Sequence, residues 1–233
     1  LRDLQFKVMV SNLVPPPADN SPAPSLFARK ADRLAAMGEG ESLNEMVRTA
    51  NAYSDPALAA AAANAMMMAG ERAGACNVVA KYPLAQPFGR RAEIACKLLA
   101  GDTAGALAAA EALNPRDAVL MALVQAAAGA APPAAVPQTM LDGPAMMMLD
   151  IAHAPPPAAA LQSTQPAMIR ALVGHKSLSL ATRIDIAERG EALAIVEATR
   201  LSDLYAQAVK EGATLPAAMA RRAQLVTATR NAG

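Results

Sequence analysis

The sequence predicts an all-α protein of stacked antiparallel helical hairpins with an extended N-terminal arm. Of the 233 residues 54% are apolar, but only 3% are aromatic, and alanine, the strongest helix former, is abundant. Proline and glycine interrupt the apolar segments at short intervals, so each predicted helix is short. Because small side chains let helix backbones approach closely, thin layers of stacked helices are favoured over a thick core.

Residues 1–24 are predicted to form an arm followed by a proline-rich linker. Leu4, Phe6, Val8 and Val10 recur at every second position, a pattern typical of a strand. A lone strand has no sheet to join in an all-α chain, so a short amphipathic helix or a flexible terminus is the alternative. As an arm, the segment would bind a protein partner through these four residues, by strand addition or in a groove.

Residues 25–129 are predicted to form a first helical body. Ser42 and Glu45 have the spacing of a capping box, Asp55 is an N-cap followed by proline, and Asp102 caps a later helix. The predicted helices span residues 25–37, 42–53, 55–70, 71–81, 90–100, 102–114 and 114–129.

Residues 130–143, rich in proline and alanine, are predicted to be a linker, and residues 144–233 a second helical body. Gly143-Pro144 begins its first helix, which continues through Ile151 and stops at a run of three prolines. The further predicted helices span residues 165–173, 177–189, 191–199, 202–211 and 216–230.

The segment from Asp102 to Ala118 resembles a tetratricopeptide-type repeat junction. Small residues lie where the two helices would cross, and Pro115 begins the next helix after a short turn containing Asn114. The family's regular repeat length is not kept, and its usual aromatic positions are mostly Ala or Leu. The resemblance implies a helical-repeat solenoid similar to tetratricopeptide (TPR) proteins.

Cys76 and Cys96, the two cysteines of the chain, are disulfide candidates. If helices 71–81 and 90–100 pair about a turn near Ala85, the rise per residue places both cysteines within roughly 3 Å of the same level. A disulfide would contribute about 3 kcal/mol and indicate an oxidising compartment. Two buried thiols in a cytosolic helix pair are the alternative.

The sequence contains no pattern that indicates a catalytic site. His153 and His175 have no cysteine or histidine at ligand spacing, and no serine lies in an elbow motif. Glu188 with Glu191 fits one solvated helix face better than a carboxylate pair. We therefore predict no enzyme, no catalytic residue, no cofactor and no metal site.

Two methionine triples, Met66–Met68 and Met146–Met148, suggest Cu(I), since thioethers are soft ligands. Consecutive helical residues point about 100° apart, so one triple cannot surround one ion. Flexible methionines that fill gaps in an alanine-rich core are the preferred interpretation.

Charge and hydropathy exclude two classes of partner. The formal net charge is +1 with scattered Lys and Arg, which argues against nucleic-acid binding. No apolar run approaches the roughly 20 residues of a membrane span, so none is predicted in this segment. The chain starts at Leu1 rather than at Met, which leaves an upstream leader or anchor open.

We expect a non-enzymatic scaffold protein of a bacterial cell-envelope machine, such as a flagellar motor or a secretion system. This rests on its general similarity to exported bacterial helical-repeat proteins, and it implies protein partners and a periplasmic location, with the cytoplasm as the alternative. A soluble peptide-binding adaptor would instead use a groove with polar residues such as Asn44, Asn64, Asn77 and Gln125. A third interpretation is the non-catalytic helical part of a longer envelope enzyme.

Overall fold

The structure is a computed structural model that describes residues 2–11, 26–113, 117–133 and 135–232. Within these ranges it contains fourteen α-helices, two short 3-10 helices and no strand, which confirms the all-α prediction. The α-helices are α1 Arg2–Val10, α2 Leu26–Ala36, α3 Gly40–Thr49, α4 Pro56–Ala69, α5 Arg72–Lys81, α6 Phe88–Leu99, α7 Thr103–Glu111, α8 Ala118–Ala127, α9 Gly143–Ile151, α10 Ala158–Leu161, α11 Pro166–Gly174, α12 Leu180–Ala192, α13 Ala198–Glu211 and α14 Ala217–Ala232. The 3-10 helices are Ala52–Ser54 and Gln138–Met140.

Several helix ends follow the predicted caps. The Asp55 carboxylate accepts a hydrogen bond from Ala57 N at 2.8 Å, and α4 ends at Gly70 with a left-handed φ of 86°. Asp102 caps α7 in the same way, accepting from Gly105 N at 2.9 Å. Ser25, the predicted N-cap of the first helix of the body, and the Asn114-Pro115 turn of the predicted repeat junction lie outside the described residues.

The strand interpretation of the N-terminal segment is wrong, and its alternative of a short helix is what the structure shows, since residues 2–10 form the helix α1. A helix satisfies its own backbone hydrogen bonds, whereas a strand needs a neighbour, and the described residues contain no strand. Helical spacing places Phe6 and Met9 against the hydrophobic core, next to α2, and leaves Leu4 and Val8 exposed. The linker prolines that follow lie outside the described residues.

The predicted capping box is also wrong. Helix α3 begins at Gly40, before Ser42, so Ser42 lies inside the helix. The Glu45 carboxylate pairs with Arg48 at 2.6 Å instead of returning to the helix start. Gly40, the first residue of the helix, packs against the backbone of α4, where a Cβ would lie 2.7 Å from the Ala65 carbonyl oxygen.

No separate helix forms over residues 191–199, contrary to the prediction. Helix α12 continues to Ala192, and the chain then turns through Ala194, whose φ is 54°. The turn is closed by Ile195 N, which donates to the Gly190 carbonyl at 2.7 Å, and it buries Ile195 and Val196. Burial of these two side chains accounts for a left-handed alanine that the sequence does not signal.

Most consecutive helices pack against each other, and α4 lies at the centre of the fold. It contacts its neighbours α3 and α5 and also α2, α9 and α11. Helix α9, which follows residues 130–143, packs on α4, α6 and α8, so one hydrophobic core extends through both halves. Consecutive packing is compatible with a helical repeat; the repeat family and the division at 130–143 stay predictions.

Among the described residues, no helix combines the length and the hydrophobicity that a membrane crossing requires.

Candidate functional site

The α5–α6 hairpin carries the two cysteines. The helices pack together, the Cα atoms of Cys76 and Cys96 are 5.6 Å apart, and a disulfide joins the two side chains. Both side chains are partly buried against the hydrophobic core. The predicted juxtaposition of the two cysteines across this hairpin is therefore confirmed.

Helices α1, α2 and α3 form the largest groove described on the structure, with a volume of about 1230 Å³. We call it the N-terminal groove. Its apolar part consists of Phe6 and Met9 from α1, Phe27 from α2 and Met46 from α3, all half-buried. The polar lining residues are Ser11, Lys30, Glu41, Ser42, Asn44, Glu45, Thr49 and Glu71.

The charged lining of the N-terminal groove is mainly acidic. Lys30 is held by its own chain, since its Nζ donates to the Ser11 carbonyl at 2.8 Å. Burial raises the pKa of Glu71, and the nearby Glu41 carboxylate raises it further. A cation brought beside Glu71 would favour the charged form of its carboxylate. The groove therefore offers apolar contacts beside an acidic cluster.

The structure separates the four residues predicted to bind a partner. Phe6 lines the N-terminal groove, while Leu4 and Val8 are 63% and 41% exposed on the outer side of α1. The Val10 side chain lies outside the described part of the chain. Met9, which the strand pattern excluded, lies in the groove because it is three residues from Phe6, and that helical spacing is the signal that would have found it.

The polar residues considered for an adaptor lie on four different helices. Asn44 lines the N-terminal groove, and its side-chain oxygen accepts a hydrogen bond from the Tyr53 hydroxyl. Asn64 has a structural role, since its oxygen accepts from Gly143 N at 2.7 Å and joins α4 to α9. Asn77 on α5 and Gln125 on α8 are exposed.

A buried polar cluster, which sequence reasoning missed, joins three helices in the interior. Asp150 on α9 has a side chain that is only 3% exposed, and it forms an ion pair with Arg72 at the start of α5. Its other oxygen accepts from Lys176 N at 2.9 Å and lies 3.5 Å from Nδ1 of His175, which follows α11. His153, by contrast, lies exposed in the turn after α9. No sequence motif links residues so far apart in the chain.

Burial and nearby charges shift the pKa values of His175 and Asp150 in this cluster. Burial lowers the pKa of His175; Asp150 and the Met146 carbonyl raise it, and Arg72 and Arg183 lower it further, so the net shift is downward. Burial would raise the pKa of Asp150, but the hydrogen bond and charge of Arg72, with His175 and Lys176 N, lower it overall. Near neutral pH the cluster therefore consists of a neutral imidazole and an Arg–Asp ion pair.

A small cavity of about 40 Å³ lies beside this cluster, and we call it the methionine cavity. The residues that line it include Met67 and Met68 from α4, Met146 and Met147 from α9, Arg72 and His175. Within the described ranges, no three His, Cys, Asp or Glu side chains are grouped so as to hold a metal ion. Methionine sulfur is the further donor type at this position.

Acidification should destabilise the protein through His175. Its folded pKa lies below the ordinary value of 6.5, so the unfolded chain binds this proton more readily, and stability is lost as pH falls below about 6.5. Chemical denaturation from pH 8 to pH 5 should show this loss in the wild type and a smaller loss in His175→Gln. His153→Gln, at an exposed position, should keep the wild-type slope. Equal slopes in all three proteins would contradict the assignment.

Comparisons of the chain with protein-family models, curated proteins and solved structures found no match.

Proposed function

We propose that this chain is a non-enzymatic assembly protein that binds a protein partner through α1 and the N-terminal groove. The observation that carries the proposal is the split of apolar side chains on α1. Phe6 and Met9 form the groove with Phe27 and Met46, while Leu4 remains mostly exposed on the other side. One short helix thus presents apolar groups to the groove and to solvent.

The chemistry of the groove favours a basic amphipathic segment as the partner's binding element. Half-buried Phe and Met side chains form contacts that adapt to an apolar anchor residue. Glu41 and Glu71 lie beside them; burial and the Glu41 carboxylate raise the pKa of Glu71, so a Lys or Arg of the partner would stabilise the charged Glu71 carboxylate. We therefore propose a helix or extended peptide that carries apolar anchors next to a basic residue.

The cysteine pair supports a location in the bacterial cell envelope. Disulfides persist in oxidising compartments such as the periplasm and are rare in the cytosol. The pair lies at bonding distance in a hairpin that packs on the core, so the bond requires no rearrangement of the fold. A component of an envelope assembly, such as a motor or a secretion system, accommodates both the disulfide and the partner-binding groove.

Site-specific photo-crosslinking in the native source tests the binding surface. A photoreactive phenylalanine analogue replaces Met46 in the groove, Leu4 on the outer side of α1, or Leu193, which is 53% exposed on a turn away from the groove. We expect adducts to one and the same protein from the first two positions and none from Leu193. Equal adducts at all three positions, or none at Met46, would overturn the proposal.

The partner segment identified by crosslinking is then made as a peptide. Its affinity for variants of the protein measures how much the groove contributes to binding. We expect Phe6→Ala to weaken binding by about tenfold or more, as for a central apolar anchor. Glu71→Gln should weaken the binding of a basic peptide and lower the salt dependence of that binding. Leu225→Ala, at an exposed position on α14, is the matched control and should leave the affinity unchanged.

A further inference from the structure

The two methionine triples lie side by side in the fold, although 77 residues separate Met68 from Met146 in the sequence numbering. Helices α4 and α9 pack directly, and a Cβ at Gly143 would lie 2.6 Å from the Met67 Cβ. Within one triple the side chains still point apart, as the sequence argument requires. Across the two helices, however, residues of one triple face residues of the other.

Four of these methionines share a cavity with a histidine. Met67, Met68, Met146 and Met147 line the methionine cavity together with His175, and each of the five side chains is at least nine-tenths buried. Met66 and Met148 are buried as well but do not line it. The cavity, at about 40 Å³, exceeds the roughly 10–15 Å³ that a single water requires, so an ion of similar size fits.

The histidine at this cavity lacks a well-formed hydrogen bond. Both ring nitrogens of His175 are inaccessible to solvent, and neither forms a hydrogen bond of good geometry among the described residues, although the Met146 carbonyl lies near enough to raise the pKa of His175. Nδ1 lies nearest to Asp150, at 3.5 Å from its carboxylate oxygen. Nε2 is then the nitrogen available to a ligand, and a carboxylate beside the opposite nitrogen is the arrangement that orients metal-binding histidines.

We propose that the methionine cavity binds a Cu(I) ion through Nε2 of His175 and two or three of the thioether sulfurs of Met67, Met68, Met146 and Met147. Thioether and imidazole are neutral donors, and soft thioethers favour Cu(I) over hard cations such as Mg²⁺ and Ca²⁺. The Asp150 carboxylate behind His175 orients the imidazole, and Arg72, which also lines the cavity, neutralises Asp150 and holds it in place. The competing occupant is a buried water that donates a hydrogen bond to His175.

Competition with a chromophoric Cu(I) chelator tests the proposal on the full chain. The titration uses ascorbate as reductant, and a thiol count on the same sample shows that Cys76 and Cys96 stay bonded. We expect the protein to withhold one equivalent of Cu(I) from the chelator. Withholding none, at protein concentrations well above that of the chelator, would overturn the proposal.

Variants identify the ligands. His175→Ala should weaken Cu(I) binding by at least about 10- to 100-fold, which is the loss expected when a residue that only orients a metal ligand is removed. Because His175→Ala could unfold the protein, the double change Met68→Leu and Met146→Leu provides an independent, volume-conserving test and should weaken binding by at least the same factor. His153→Asn and Met219→Leu, the latter buried in α14, are the matched controls and should bind as the wild type does. Wild-type affinity in a folded double variant would overturn the assignment.

Methionine-methyl NMR gives a signature that needs no variant. Ag(I) serves as a redox-inert substitute for Cu(I), and one equivalent is added to protein labelled at the methyl groups of its 13 methionines. We expect large shifts for two to four of the resonances of Met67, Met68, Met146 and Met147 and small shifts elsewhere. Shifts confined to exposed methionines, or spread evenly, would show binding at other sulfurs and overturn the site.

Discussion

Loss of the Cys76–Cys96 disulfide, by the double change to alanine, should lower the free energy of unfolding by about 3 kcal/mol. The bond closes a loop with a sequence separation of 20, and without it the unfolded chain gains the corresponding entropy. For a chain of this length, the melting temperature should fall by about 6–12 °C. Urea denaturation followed by circular dichroism at 222 nm measures both the midpoint and its slope.

Reduction provides the control for this prediction. Treatment of the wild type with dithiothreitol should shift its midpoint towards that of the double variant, whereas the double variant should not respond. If the oxidised wild type and the variant unfolded at the same urea concentration, the disulfide would not contribute to stability.

The oxidation state of Cys76 and Cys96 in the cell indicates the compartment in which the protein resides. Alkylation of thiols in intact cells of the native source, before lysis, should leave both cysteines unmodified if the protein resides in the envelope. Modification of both cysteines in most molecules would indicate a reducing compartment and would contradict the proposed location.

Replacement of Arg72 by methionine should destabilise the protein by about 3 kcal/mol or more. The change removes the cation that pairs with Asp150, whose side chain is 3% exposed and whose remaining contacts are Lys176 N and the neutral His175. A buried carboxylate without its partner carries its full desolvation cost. Denaturant unfolding at pH 7 gives the difference, and lowering the pH towards the raised pKa of the unpaired Asp150 should recover part of it.

Two further variants separate the buried charge from other effects of losing an arginine. Arg48→Met removes an exposed arginine that pairs with Glu45 at 2.6 Å, and it should leave the stability close to that of the wild type. Arg72→Met combined with Asp150→Asn should be more stable than Arg72→Met alone, since the amide carries no charge to desolvate. A double variant less stable than the single one would contradict the role assigned to Asp150.

Local signals in the sequence were sufficient for most helices. Asp55, Asp102 and the glycine after α4 act within one turn of their own helix, so their effects are readable from neighbouring residues. The cysteine pairing was predictable for the same reason, since two short helices and one turn determine it. The choice between strand and helix for residues 2–10 was not predictable from local signals, because it depends on whether a neighbouring strand exists to accept the hydrogen bonds.

The same distinction between local signals and long-range packing applies to the candidate sites. The sequence by itself determined the all-α class, the helical hairpins and the facing cysteines, because these follow from periodicity, caps and helical rise over a few turns. Only the tertiary structure brought Arg72, Asp150 and His175 together, placed one methionine triple against the other, and turned Phe6 towards a groove. Those arrangements depend on which helices pack across the core, and small side chains such as Gly40 and Gly143 permit that close packing without specifying the partner helix in any local pattern.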